Sequence, residues 1–281
     1  MRPLLIEYAP ELPGGQGLQW VQTRVAKPKG LVFIPPLIGG GPAQQLAAFR
    51  WLCKNDLDLF SFNYSGHGAS GGRFSLASSE QDTRIMLSVA AQRAQRAGLP
   101  FFGIAACYAT IPLLLGALKS VEPFKKVVFI NPLTAFFQGT FLQALYRCCR
   151  RGFSLKQPAQ SLRKSIDSYL ELLFPNIARG VTGFGTLSRK RTRVLKVLFE
   201  WLSSNVELNF SLPQTPALCI YSSRDPILDI GGGLLRNASM DCIRRVCSPV
   251  TFQAINSDHF LSDPQSRTLT RQAIRAFLLA G

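Results

Sequence analysis

Short runs rich in Val, Ile, Leu, Phe and Tyr alternate with longer stretches whose apolar residues recur at helical spacing. This is the pattern of a mostly parallel sheet flanked by helices on both faces. Strands are expected at 18–25, 31–35, 57–63, 101–106, 127–131, 217–221 and 250–255, and helices at 43–54, 79–97, 108–119 and 267–279. The helix beginning near Ser79 has Ser78 as its expected N-cap, with Gln81 three residues on to close a capping box. The alternation breaks once. Between Asn131 and Pro213 about eighty residues rich in Phe, Leu and Arg read as helical, where a single crossover would be enough. The division that follows is a core of residues 1–132 and 213–281 carrying an inserted basic helical lid, 133–212.

Composition adds limits to that picture. A chain of 281 residues with 47% apolar content can bury one large core with an insertion. The uncharged run 97–118 is long enough to cross a bilayer, but Pro112 and the small residues around Cys107 fit a buried strand followed by a buried helix. An acid at Glu7 and a proline at Pro10 interrupt any signal-peptide core, so secretion is not expected. Seven cysteines at irregular spacing, without a C-x-x-C, read as free thiols of a reducing, cytoplasmic setting. Of the net charge of +16, a share of +10 falls between Arg147 and Lys196, which carries twelve basic residues against Asp167 and Glu171. Such a segment points to an anionic partner, or reads as a solvated basic face.

The chemistry is sought where the strands end. The segment 99–109 reads strand, sharp turn, helix, and a nucleophile on such a turn needs small residues two before and two after it. Ala105 and Ala109 meet that need around Cys107; a buried cysteine in an inactive turn is the other reading. The strand 217–221 runs into a loop bearing Asp225, which is either an acid that orients a histidine or a turn residue before Pro226. The chain has two histidines, His67 and His259, and His259 stands in the loop after the last strand. Nucleophile, acid and histidine thus follow in the order 107, 225, 259. After the strand 31–35, the run Pro36-Leu37-Ile38-Gly39-Gly40-Gly41 occupies the place of an oxyanion loop. Prolines have no N–H to donate, so the donors would be the backbone amides of Leu37 and Tyr108. The glycine run does not have P-loop spacing, and no metal or cofactor is read from the sequence.

With these residues in view, the chain resembles the α/β-hydrolase superfamily over nearly its whole length. The loop Asn63-Tyr64-Ser65-Gly66-His67-Gly68-Ala69-Ser70-Gly71-Gly72 resembles the stretch after the fourth strand in serine aminopeptidase-like and monoglyceride lipase-like members, and the resemblance implies that His67 is a structural loop residue. The alanine-flanked turn is similar to that of the long-chain acyl thioesterase (acyl transferase) of bacterial luciferase operons, which implies that Cys107 stands where that family has a serine. Dienelactone hydrolases supply a precedent for a Cys, His, Asp triad on this fold. Where the superfamily carries a His-Gly pair at the oxyanion loop, this chain has Pro35-Pro36.

A thiolate exchanges readily with thioesters, because the entering and leaving sulfurs are of comparable basicity. The expected function is therefore an acyl-thioester hydrolase or acyltransferase working through an acyl-cysteine. Arg147, Arg150, Arg151, Arg189 and Arg191 would hold an acidic acyl carrier protein or coenzyme A. A carboxylic ester hydrolase with a cysteine nucleophile and a non-catalytic binding protein of the same fold are the alternatives. No motif of a specific nucleic-acid reader is present; the basic charge is also compatible with peripheral contact to anionic membranes.

Overall fold

The computed structural model describes residues 5–8, 17–37, 41–118, 124–134, 215–225, 228–229 and 233–280. Eight strands among them make one sheet: β1 (Leu5–Tyr8), β2 (Gln19–Gln22), β3 (Gly30–Phe33), β4 (Leu57–Phe62), β5 (Phe101–Ala106), β6 (Lys126–Ile130), β7 (Ala217–Ser222) and β8 (Val250–Ile255). Their order across the sheet is β1-β2-β4-β3-β5-β6-β7-β8. The pairs β1–β2 and β2–β4 are antiparallel, and every pair from β4–β3 to β7–β8 is parallel.

The central strands are apolar on both faces, as a parallel sheet covered on both sides requires. In β3, Leu31 and Phe33 face one core while Val32 faces the other; in β6, Val127 and Phe129 oppose Val128 and Ile130 in the same way. The first core is built on stacked rings: Phe33 lies 5.9 Å from both Phe60 and Phe62, and Trp20 4.9 Å from Phe60. It is covered by α2 (Leu76–Arg96), α3 (Thr110–Leu118) and α4 (Leu234–Val246); α1 (Pro42–Phe49) and α5 (Pro264–Leu279) close the second.

Several expected elements differ in detail. The helix expected at 43–54 ends at Phe49 and tightens into a 3-10 segment, Arg50–Asn55, which Asp56 stops in the left-handed region at φ 60°. The helix expected from Ser79 starts at Leu76, and its cap is Ser75 rather than Ser78. The Ser75 hydroxyl accepts from the Ser78 amide at 3.0 Å while the Ser78 hydroxyl accepts from the Ser75 amide at 2.8 Å. Gln81, expected to close the box, is exposed instead. The uncharged run 97–118 divides between β5 and the helical segments after it. No helix among the described residues is long and apolar enough to cross a membrane. Apart from Leu133 and Thr134, the expected lid, 133–212, lies outside the described residues, as do Arg147, Arg150, Arg151, Arg189 and Arg191.

Candidate active site

The parallel strands β5, β6, β7 and β8 deliver their C-terminal ends to one edge of the sheet, where loops at neighbouring strand ends meet. At the end of β5 the chain turns at once into the 3-10 segment Cys107–Ala109 and then α3. Cys107 takes φ +49°, a left-handed conformation that a side-chain-bearing residue adopts at a cost of order 1–3 kcal/mol. Ala105 and Ala109 are fully buried on either side, so the steric reasoning that singled them out describes this turn. The turn is held from outside as well: the Cys107 carbonyl accepts from the Leu133 amide at 3.1 Å. The Cys107 side chain is half-buried.

Asp225 is 0% exposed, three residues beyond β7. One carboxylate oxygen accepts from the Leu228 amide at 3.0 Å and the other from His259 Nδ1 at 2.6 Å. The loop carrying His259 is folded by its own polar residues. Asp258 Oδ1 accepts from the amides of Phe260 and Ser262, each at 3.0 Å, and Leu261 is left-handed at φ +52°. Asp263 caps α5 through the Ser266 amide and also accepts from the Ser257 hydroxyl at 2.9 Å. The Ser266 hydroxyl, the Ser266 amide and the Ser257 hydroxyl together hold the Asp263 carboxyl down to about 2. The acid and histidine loops are zipped together past the ends of their strands, with Ser223 N donating to Ile255 O at 2.9 Å and Arg224 N to Ser257 O at 3.1 Å.

The structure thus brings Cys107, Asp225 and His259 together. His259 is 6% exposed, hydrogen-bonded to Asp225 through Nδ1 and adjacent to the Cys107 sulfur. Burial works against a charge on this ring. The adjacent sulfur of Cys107 and the Asp225 carboxylate outweigh it, so the histidine pKa rises from 6.5 to about 10. At neutral pH the ring therefore carries a proton, held between the Asp225 carboxylate and the Cys107 sulfur. Burial pushes Cys219 and Cys247 up to about 12 and also raises Cys242.

His259→Ala is expected to lower the iodoacetamide alkylation rate of Cys107 at pH 7, read by peptide mass mapping, by about tenfold or more, because a protonated ring beside the sulfur favours its reactive form. An unchanged rate in the variant would contradict activation of Cys107 by His259.

The two expected oxyanion donors are less evenly defined. Tyr108 directly follows Cys107, so its amide belongs to the first helical turn, where N–H groups point out of the helix end. Its side chain is buried, and the hydroxyl shares a 2.5 Å hydrogen bond with Ser79 on α2. Leu37 is half-buried after the buried pair Pro35-Pro36, and the rest of that loop, 38–40, lies outside the described residues. His67 is buried in the loop after β4. It packs against Tyr64 and Phe74 at 5.9 and 4.8 Å, and burial lowers its pKa to about 4. That loop is pinned to α2 by Asp82, whose carboxylate accepts from both the amide and the hydroxyl of Ser65 at 2.7 and 2.9 Å.

Sequence reasoning missed two residues that shape this site. Asp263 was legible, since an aspartate before a proline at the first helical position is a helix-start signal. Asn131, at the end of β6, takes φ +45° and reaches the His259 backbone with its side chain; its sequence signal was only an asparagine closing a strand.

No protein-family profile matches this sequence, and no curated protein does. Solved structures do match. A lipase in its open form is similar with a TM-score of 0.63 and 16% identity, over 98% of this chain and 98% of its own. The mouse α/β hydrolase domain-containing protein 10 has a TM-score of 0.60 and 16% identity, again over 98% of each chain. A soluble variant of monoglyceride lipase from Saccharomyces cerevisiae, in complex with a substrate analogue, has a TM-score of 0.60 and 10% identity over 99% of this chain and 96% of its own. Together with the strand order, these likenesses show that the chain has the α/β-hydrolase fold.

Proposed function

We propose that this α/β-hydrolase-fold chain is an acyl-transferring enzyme acting on acyl thioesters through an acyl-Cys107 intermediate. One observation carries the reading: a cysteine at φ +49° on a strand-to-helix turn, beside a histidine that Asp225 holds at 2.6 Å. Geometry of this kind is costly for a merely buried thiol and useful to a nucleophile.

In the first half of the reaction the Cys107 sulfur attacks the acyl carbonyl. The amides of Tyr108 and Leu37 stabilise the oxyanion. The tetrahedral adduct collapses by breaking the bond to the leaving thiolate, which takes the proton from His259. In the second half His259, now neutral, accepts a proton from water or another acceptor as that molecule attacks the acyl-cysteine; the acyl–sulfur bond then breaks, leaving the Cys107 thiolate beside the protonated ring. Asp225 keeps the Nδ1 proton in place throughout, so that Nε2 does the exchanging.

Thioesters are favoured over oxygen esters because expelling an alkoxide from a cysteine adduct is harder than expelling a thiolate. The basic segment between Arg147 and Lys196 supports an anionic carrier of the acyl group, either an acidic acyl carrier protein or coenzyme A, with Arg147, Arg150, Arg151, Arg189 and Arg191 as its contacts. The five described cysteines are free thiols, which suits a reducing compartment such as the cytoplasm. A carboxylic ester hydrolase is the second reading, supported by the lipases among the similar structures.

Paired substrates separate the two readings. With a thioester and an oxygen ester of the same acyl chain, kcat/KM is expected to favour the thioester by about tenfold or more. A preference for the oxygen ester would select the second reading. Turnover of neither substrate, across short to long chains, would select a non-catalytic binding protein.

A further inference from the structure

Asn131, the residue that follows β6, is tied to the segments that carry the acid and the histidine. Asn131 is 1% exposed. Its amide uses all its main bonding capacity on the two neighbouring loops: Oδ1 accepts from the Ser222 amide at 2.6 Å, and Nδ2 donates to the Ser222 hydroxyl at 2.9 Å and to the His259 carbonyl at 2.8 Å. Ser222 is the last residue of β7, three before Asp225. Two residues after Asn131, the Leu133 amide holds the Cys107 carbonyl at 3.1 Å. One short segment at the end of the strand between β5 and β7 is therefore bonded to the nucleophile turn, to the acid strand and to the histidine backbone. Turning the chain so that its side chain faces both loops puts Asn131 at φ +45°, a conformation in which asparagine is enriched among non-glycine residues.

We propose that Asn131 is a positioning residue for His259: its amide clamps the histidine loop to the end of the acid strand and so fixes the imidazole between Asp225 and Cys107. The proposal rests on the reading of Cys107 and His259 as the reacting pair. Geometry at a reacting centre is demanding, and a displacement of about 1 Å can lower a rate by about a hundredfold.

Two variants separate the side chain from the backbone turn. Asn131→Gly keeps the left-handed backbone and removes the clamp. Asn131→Asp keeps the acceptor for the Ser222 amide and removes the donor to the His259 carbonyl. With only two histidines in the chain, the ring signals can be followed by NMR over pH in the full-length protein. His67, buried in the separate loop after β4, reports whether the fold is intact.

In both variants the His259 titration midpoint is expected to move from about 10 toward 6.5 while the His67 signal stays in place. The Cys107 alkylation rate at pH 7 is expected to fall about tenfold or more. With a thioester, kcat should fall by about ten- to a hundredfold and KM stay within about threefold. An unchanged His259 midpoint and alkylation rate in either folded variant would overturn the clamp. If Asn131→Gly fails to fold, shown by loss of the His67 signal, Asn131→Asp decides by the same criteria. The underlying reading is tested apart from the clamp: a His259 midpoint unmoved by Cys107→Ala would remove the reacting pair itself.

Discussion

Cys107→Ala is expected to lower thioester turnover by roughly 10⁴-fold or more, leaving only what carbonyl polarisation and substrate binding supply. The reason is that, among the described residues, Cys107 is the cysteine placed beside His259. His259 touches the sulfur and Asp225, and the remaining described cysteines are elsewhere: Cys219, Cys242 and Cys247 are buried in the core, and Cys53 is hydrogen-bonded to Thr23 at the other side of the sheet order. Stability is expected to respond in the opposite sense when the turn is relaxed. At φ +49° alanine keeps the strain of the native residue, whereas glycine does not, so Cys107→Gly should be more stable than Cys107→Ala by about 1 kcal/mol, read by chemical denaturation. Both variants should be inactive. Retention of more than a tenth of wild-type turnover in either would exclude Cys107 as the nucleophile.

The second large effect is expected from Asp225→Asn, about 10³- to 10⁴-fold in kcat with little change in KM. Asp225 has two duties, one on each oxygen: it accepts from the Leu228 amide at 3.0 Å and from His259 Nδ1 at 2.6 Å. An asparagine has one oxygen to offer. If that oxygen stays with the Leu228 amide, the NH₂ group faces His259 and forces Nδ1 to accept, which moves the ring proton to the nitrogen beside Cys107. In that tautomer His259 cannot take up a proton from the sulfur or from the attacking acceptor. Loss of the carboxylate also removes one of the causes that raise the histidine pKa, so its titration midpoint should fall below about 10. Steady-state kinetics and the pH profile read both effects, and a kcat within tenfold of wild type would remove Asp225 from the mechanism.

How much of this was legible in the sequence follows from how local each cause is. The strands β3, β5, β6 and β7 are continuous apolar runs, and their positions could be read within a residue or two because burial on both faces leaves no polar interruption. β1 escaped because it is four residues long and lies between Pro3 and Pro10. α4 escaped because its buried face contains Ser239 and Cys242 beside Leu235, Ile243 and Val246, a stripe too weakly apolar to stand out among four charged residues. The start of α2 was misplaced because Ser75 and Ser78 offer rival caps with the same spacing, and only the fold shows that Ser75 and Ser78 satisfy each other.

At the site, Cys107, Asp225 and His259 were legible because each sits at the end of a recognisable strand and the order along the chain has a meaning on this topology. Asn131 was not. Its bonds reach residues 91 and 128 positions away, and nothing in the neighbouring sequence announces them. The acid and histidine loops show the same division: the capping of α5 by Asp263 is local and readable, whereas the pairing of Ser223 with Ile255 appears only when β7 and β8 lie side by side.

Intact mass, measured after mixing the protein with a medium-chain acyl thioester and quenching in acid within seconds, tests the central claim most directly. The account predicts a mass increase of one acyl group, peptide mapping of that group to Cys107, release of free thiol in step with it, and no adduct in Cys107→Ala. A protein that releases thiol from the thioester with no acyl group ever found on Cys107, or that carries the group with Cys107 replaced, would contradict it.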